Sequence, residues 1–139
     1  MLRRLCPSLL ALAISLPGSA DALGLGDIRV ESALNEPLSV QIDIVGATDQ
    51  ELIELRAGIA SRETFRRLGA ERAAFLSTAS FKVTRGADGR PVLTVRTEQA
   101  ATDPLVALLV DLSWGRGELI KEYSLLLDPA QPPAAAQNP

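Results

Sequence analysis

The stretch LSVQIDIV, residues 38–45, decides the fold class of this chain. Apolar residues stand at every second position from Leu38 to Ile44, and polar residues stand between them. A period of two indicates a β-strand with one face in a core and the other in water. Strands of this kind are typical of antiparallel sheets, so the segment predicts an antiparallel β protein.

Similar segments recur on both sides of this strand. The other candidate strands are residues 27–33, 54–61, 80–85, 91–97, 103–114 and 118–127. The run at 103–114 is nearly all apolar, which predicts a central strand covered on both faces. Strands this short, with turn signals between them, predict a mainly β fold, a single immunoglobulin-like antiparallel β-sandwich of about seven strands. A small Greek-key barrel is the alternative.

One or two short helices are expected between the strands. Thr48 and Glu51 form the Thr-x-x-Glu pattern of a capping box, which predicts a helical turn. Ser61 can cap a second short helix and Gly69 can end it, with Phe65 and Leu68 docking that helix on the sandwich. The short helices are therefore predicted to pack on the sandwich without forming a separate layer.

The N-terminus has the pattern of an export signal. Two arginines precede an apolar run at residues 9–16, and Ala20 and Ala22 follow with small-x-small spacing. The apolar run is shorter than the roughly 20 residues that a membrane-spanning helix needs. Residues 1–22 are therefore predicted to be a cleaved signal peptide, and the alanine spacing argues against an uncleaved anchor.

Composition excludes several classes of function. The only cysteine, Cys6, lies within the predicted signal peptide, and the chain has no histidine. A disulfide, a cysteine metal site and a histidine general base are thereby excluded from the exported part. The net charge of −3 argues against nucleic acid as a partner. Beyond the signal peptide, no apolar run is long enough to predict a membrane span.

No catalytic motif emerges from the remaining residues. Gly24-x-Gly26 opens a predicted strand and no helix, so a dinucleotide-binding turn is excluded by context. The carboxylates are scattered and are best explained by a solvated sheet face. Asp111 stands inside an apolar run and is expected to pair with Arg116 or Lys121. We expect no enzyme, with no catalytic, cofactor-binding or metal site.

Two surfaces are candidates for partner binding. The first is residues 27–33, a candidate edge strand that carries Arg29 and Glu31, where main-chain hydrogen bonds could pair with a partner strand. The second is an arginine cluster at residues 61–72, which holds Arg62, Arg66, Arg67 and Arg72, with the first three as the candidate contact residues.

The arginine cluster has two interpretations. At helical spacing, Arg62 and Arg66 share a face and could bind an anionic lipid head group or an acidic glycan. The alternative is an ordinary solvated helix face, which is favoured because Glu63 and Glu71 lie in the same run.

Several segments of the chain resemble the FimV/HubP family of polar landmark and pilus-assembly proteins. The resemblance rests on the opening at 22–26, the Ile-x-Val-x-Ser-x-Leu-Asn-x-Pro-Leu element at 28–38 and the Gly-Ala-Thr turn at 46–48. The Trp114-x-x-Gly117 turn and the ending at 123–129 also match. Together these segments cover residues 23–129, which the resemblance identifies as the N-terminal domain of that family.

The resemblance implies a setting and a role. Proteins of that family have a periplasmic N-terminal domain, a Pro/Ala-rich linker, a LysM peptidoglycan-binding module, one membrane span and a long acidic cytoplasmic part. They support type IV pilus assembly, twitching motility, type II secretion and polar organisation. Residues 130–139 resemble the start of the linker, but the LysM module and the span are absent, so the sequence is expected to be a fragment or a short relative. As a fragment, it would be tethered to the inner membrane.

Three functions stay open at this point. The favoured one is a periplasmic scaffold that docks protein partners of the pilus or secretion machinery. The second is a pilus-chaperone-like sandwich that donates a strand, although such chaperones have two sandwich domains. The third is a glycan- or peptidoglycan-binding module, which would need exposed aromatic side chains where most of those present are expected in the core.

Overall fold

The structure is a computed structural model that describes residues 22–129. The predicted signal peptide, apart from Ala22, and the predicted linker at 130–139 lie outside the described residues. The strands are β1 (Gly24–Val30), β2 (Pro37–Val45), β3 (Arg56–Ile59), β4 (Ser80–Arg85), β5 (Pro91–Ala100), β6 (Leu105–Trp114) and β7 (Gly117–Leu126). The helices are α1 (Asp49–Glu54), α2 (Arg62–Arg67) and a 3₁₀ helix (Ala74–Thr78).

The strands form two separate antiparallel sheets. One has the order β1-β2-β5-β4 and the other has the order β3-β6-β7. This is the strand order of constant-type immunoglobulin domains, ABED against CFG. The prediction of a seven-stranded immunoglobulin-like sandwich with short helices is therefore confirmed, and the Greek-key barrel is not the fold.

The apolar residues that alternate along residues 38–45 face the core, as predicted. Leu38, Val40, Ile42 and Ile44 are all buried. In register, Val40 lies opposite Val95 of β5, and strand β2 sits between β1 and β5. Side chains from both sheets close over one core, whose largest fully buried members include Phe65, Leu38, Ile42, Leu93, Leu108 and Leu112. The sandwich is held together by this apolar interior.

Strand β6 is central in its sheet, as predicted, and its two faces are covered unequally. The inward row is buried. On the outward row Leu109 is fully buried, whereas Leu105 is 67% exposed and Asp111 is half-buried, so the prediction of cover on both faces holds only for part of the strand.

The capping box explains why strand β3 is shorter than the predicted 54–61. Thr48 Oγ1 accepts from the Glu51 backbone N–H at 3.2 Å, and Glu51 Oε1 accepts from the Thr48 backbone N–H at 3.4 Å. These reciprocal bonds fix helix α1 through Glu54. Strand pairing can therefore begin only at Arg56.

Candidate partner-binding surfaces

The arginine cluster lies on a segment that is firmly anchored to the core. Ser61 Oγ accepts from the Thr64 backbone N–H at 3.2 Å and caps helix α2, and Gly69, with φ of 69°, ends the turn after it. Phe65 from α2 and Leu76 from the 3₁₀ helix are each only 1% exposed. Thr64 and Phe75 are buried beside them, so each short helix has two buried residues. The prediction that Leu68 also docks α2 is wrong, because Leu68 lies after the helix and is 50% exposed.

The two helices enclose a cleft of about 670 Å³. Its charged lining consists of Arg62, Arg66 and Arg72. Phe65, Ser77 and the alanines at positions 70, 73 and 74 complete the lining. We call this feature the arginine cleft. No acidic residue lines it, although Glu63 and Glu71 stand beside the arginines in sequence.

Glu63 and Glu71 form no ion pair with the arginines that line the cleft. In the part of the chain that the structure describes, the side-chain ion pairs are Arg29 with Asp43 and Arg90 with Asp88. The guanidinium groups of the arginine cleft therefore have no acidic partner within 4 Å among residues 22–129. The Nε atom of Arg72 is buried and has no hydrogen-bond partner there.

The structure separates one predicted member of the cluster from the others. Arg62 and Arg66 line the cleft, whereas Arg67 is exposed on α2 outside it. Arg72, a member of the predicted cluster that was not among its candidate contact residues, joins them because the turn after Gly69 folds the chain back. Helical spacing groups Arg62 with Arg66, but it does not predict that Arg72 lines the same cleft.

The candidate edge strand is present but is shifted along the sequence. Strand β1 is at one end of its sheet, as expected, and it runs from Gly24 to Val30 instead of from 27 to 33. Its register against β2 shifts between Leu25 and Ile28, which indicates a β-bulge. A period-two pattern cannot reveal a bulge, so the sequence placed this strand three residues late.

Much of the β1 edge is already occupied. Tyr123 Oη of β7 donates to the Gly26 carbonyl at 2.7 Å, and Lys121 Nζ donates to the Leu25 carbonyl at 3.1 Å. We call these two contacts the β7 clasp. Burial, together with the negative charges of Asp27 and Asp43, raises the pKa of Tyr123 to about 12. The clasp closes the first half of the edge, leaving the part around Ile28 and Val30 for any partner strand.

Arg29 and Glu31 make contacts within the domain. Arg29 Nη2 donates to Asp43 Oδ1 at 2.9 Å, and this hydrogen bond raises the pKa of Arg29. Glu31 Oε2 accepts from Ser39 Oγ at 3.4 Å. Both pairs join β1 to the outer face of β2 and are solvent-exposed, so they contribute little to stability. Their part in partner binding stays a prediction.

The expected pairing of Asp111 is wrong. Asp111 has neither Arg116 nor Lys121 within ion-pair distance among residues 22–129, because the Lys121 ammonium is turned to β1. Its cross-strand neighbours are Gly58 and Ile120. Asp111 is only half-buried, so its carboxylate keeps contact with solvent and a buried ion pair is not needed.

A search of residues 22–129 for metal-ligating groups and membrane-length helices finds neither. Across residues 22–129, no group of three or more His, Cys, Asp or Glu side chains could hold a metal ion. Trp114 is half-buried and packs against the core, with its ring beside Gly117. Within the same residues, no helix has the length and apolarity to cross a membrane.

Comparison with known proteins identifies a matching family and two similar proteins. A family model described as the FimV N-terminal domain, an Ig-like domain, matches residues 23–130. Two curated relatives are similar, both called motility hub protein FimV, from Pseudomonas aeruginosa strains PAO1 and UCBPP-PA14. Each is 34% identical over 140 residues, which covers 99% of this chain and 15% of the relative. No solved structure gives a significant match.

The family match and the fold agree with each other. The matched region contains all seven strands, and the immunoglobulin-like strand order is the architecture that the family description states. The chain therefore belongs to the FimV N-terminal domain family of immunoglobulin-like domains.

Proposed function

We propose that this chain is a non-enzymatic periplasmic docking domain that supports surface motility, in the manner of the motility hub proteins it is similar to. The observation that carries the proposal is the 34% identity to those proteins over 99% of the chain. The chain spans only about 15% of their length, so it would supply one module of such a hub. Type IV pilus assembly, twitching and polar organisation are the processes it would serve.

The surface suits docking better than catalysis. The described residues carry a sandwich whose polar groups are distributed over sheet edges, the arginine cleft and loops, with no metal-ligating cluster among residues 22–129. Of the five aromatic side chains in that region, Phe65, Phe75 and Tyr123 are buried and Phe81 and Trp114 are half-buried. That arrangement supports protein docking over glycan binding, which uses exposed aromatic rings.

Export would place the domain in the periplasm. The predicted signal peptide at residues 1–22 supports this part of the proposal. Osmotic-shock fractionation of the producing bacterium should release the chain with its N-terminus at Leu23. Retention of the whole chain in the cytoplasm, with Met1 still present, would contradict periplasmic docking.

Motility of a deletion strain tests the role itself. Removal of the codons for residues 23–129, with the signal peptide left in frame, should shrink the surface-motility zone, because the hub loses a docking module. A plasmid copy of the intact gene should restore the zone. An unchanged zone in the deletion strain would count against a motility role.

A pull-down with the purified chain tests the chaperone alternative. Recovery of pilin subunits bound by strand exchange would favour that alternative.

A further inference from the structure

The arginine cleft concentrates positive charge where the domain as a whole is acidic. The chain has a net charge of −3, yet three guanidinium groups and no carboxylate line this one cleft. Arg62 and Arg66 are four residues apart on α2, so their like charges face each other and destabilise the helix. The fold alone gives no compensating acid for them within residues 22–129.

Arg72 provides an independent observation at the same place. Its Nε atom is buried and lacks a hydrogen-bond partner in the described part of the chain. A buried donor left unpaired costs free energy that a bound acceptor would recover. Arg72 lines the same cleft as Arg62 and Arg66, so a ligand in the cleft with acceptor oxygens would face all three side chains.

We propose that the arginine cleft binds a glutamate- or aspartate-rich segment of a partner protein. Guanidinium groups match carboxylates in a planar, bidentate geometry, and such charge-assisted bonds are stronger than neutral ones. The alanines at positions 70, 73 and 74 give the cleft an apolar lining as well. An acidic peptide presents carboxylates and apolar side-chain carbons together, so it complements both parts.

The shape of the cleft argues against a lipid surface or a sugar. A bilayer is flat and would contact the exposed Arg62 and Arg66, whereas Arg72 is half-buried within the cleft. Sugar binding commonly uses stacking on an accessible ring, whereas Phe65, the aromatic residue of this cleft, is 1% exposed. A protein segment with long acidic side chains fits the depth and the chemistry better.

The inference deepens the proposed docking function, since it names the chemistry of the docked partner. Its test is a binding titration of the purified chain with a fluorescent peptide, Gly-Glu-Glu-Ala-Glu-Glu-Gly, and with the matched peptide in which every Glu is Gln. We expect saturable binding of the acidic peptide, together with shifts of the arginine Nε–H resonances in NMR spectra. Equal binding of the two peptides would overturn the inference.

Matched variants assign the binding to the cleft. Arg62→Gln or Arg66→Gln should weaken binding about tenfold, because each loses a charge-assisted hydrogen bond. Arg67→Gln removes the same charge from the same helix outside the cleft, and its effect should stay within about twofold. Equal weakening by Arg67→Gln and Arg66→Gln would mean that only the general charge of α2 matters, which overturns the cleft assignment.

Arg72 needs a stability control because its Nε is buried. Arg72→Met should abolish the shifts and weaken binding while the Tm is maintained or raised, since an unpaired buried donor is removed. A lower Tm with binding intact would show that Arg72 is structural and would overturn its role.

Two further probes separate the sources of anionic charge. Inorganic phosphate and vesicles of phosphatidylglycerol should compete for the cleft less strongly than the acidic peptide at equal anion concentration. Stronger competition by either would overturn the assignment to a protein segment. These measurements use purified protein, so the peptide result and the motility result can each fail without the other.

Discussion

At the scale of single residues, backbone conformation and buried polar atoms decide what each position tolerates. Gly89 has a φ of 79° in the turn between β4 and β5, whereas Gly58 lies in strand β3. An added Cβ would meet nothing within 4 Å at either position, so space does not distinguish them. The two glycines differ in backbone conformation, so they form a matched pair for testing the effect of positive φ.

Alanine substitutions at these glycines should change stability in opposite directions. Gly89→Ala should lower the free energy of unfolding by about 1–2 kcal/mol because an L-residue is strained at positive φ. Gly58→Ala should raise it by about 0.5–1 kcal/mol because alanine loses less backbone entropy in a strand. Urea denaturation measures both, and destabilisation of equal size by the two changes would contradict this explanation.

Tyr123 should titrate as a buried phenol. It is the only tyrosine in the sequence, so phenolate absorbance reports it alone. The pKa in the folded domain is raised to about 12, above the ordinary value of about 10. The folded state therefore keeps this proton when the unfolded state has lost it. Stability that is fully present below about pH 10 should fall between about pH 10 and pH 12.

The measurement is a pH titration of the folded chain and of the chain in concentrated urea. The absorbance midpoint should lie near pH 12 when folded and near pH 10 when unfolded. Coincident midpoints would show that Tyr123 is not buried as described.

At the scale of elements, sequence periodicity predicts the strands and helices whose position depends on local residues. It does not predict boundaries that depend on tertiary contacts. The alternation at 38–45 fixes β2, and the Thr48–Glu51 pattern fixes the start of α1. Strand β1 begins three residues earlier than predicted because a bulge and the β7 clasp place Gly24–Val30 at the edge. A hydrogen bond from a side chain to a backbone carbonyl about a hundred residues away leaves no local signal.

Tyr123→Phe tests the β7 clasp. The change removes the hydrogen bond to the Gly26 carbonyl and should cost about 1 kcal/mol of unfolding free energy. Amide hydrogens of β1 should exchange faster, while those of β5, at the centre of the same sheet, should keep their protection. Ser124→Ala, on the exposed face of β7, is the control and should stay within about 0.5 kcal/mol. Unchanged exchange in β1 would refute the clasp.

At the scale of the whole molecule, the sequence predicts the immunoglobulin-like sandwich. It predicts only some of the residues that line the arginine cleft. Seven strands with regular turn signals predict the sandwich, and the structure confirms it. Helical spacing groups Arg62 with Arg66. The arginine cleft also needs Arg72, which arrives through the fold of the 61–79 segment over the core. The neighbouring acids suggested a neutralised helix face, whereas in three dimensions they do not line the cleft.

The central claim is that residues 23–129 act as the N-terminal docking domain of a motility hub. The most direct measurement replaces the corresponding domain of a motility hub protein FimV with residues 23–129 and records the surface-motility zone of a strain lacking its own hub protein. The chimera should restore motility, and a chimera with Arg62→Glu and Arg66→Glu should restore less than one with Arg67→Glu. A chimera that is exported at the normal level but leaves motility at the deletion level would contradict the claim.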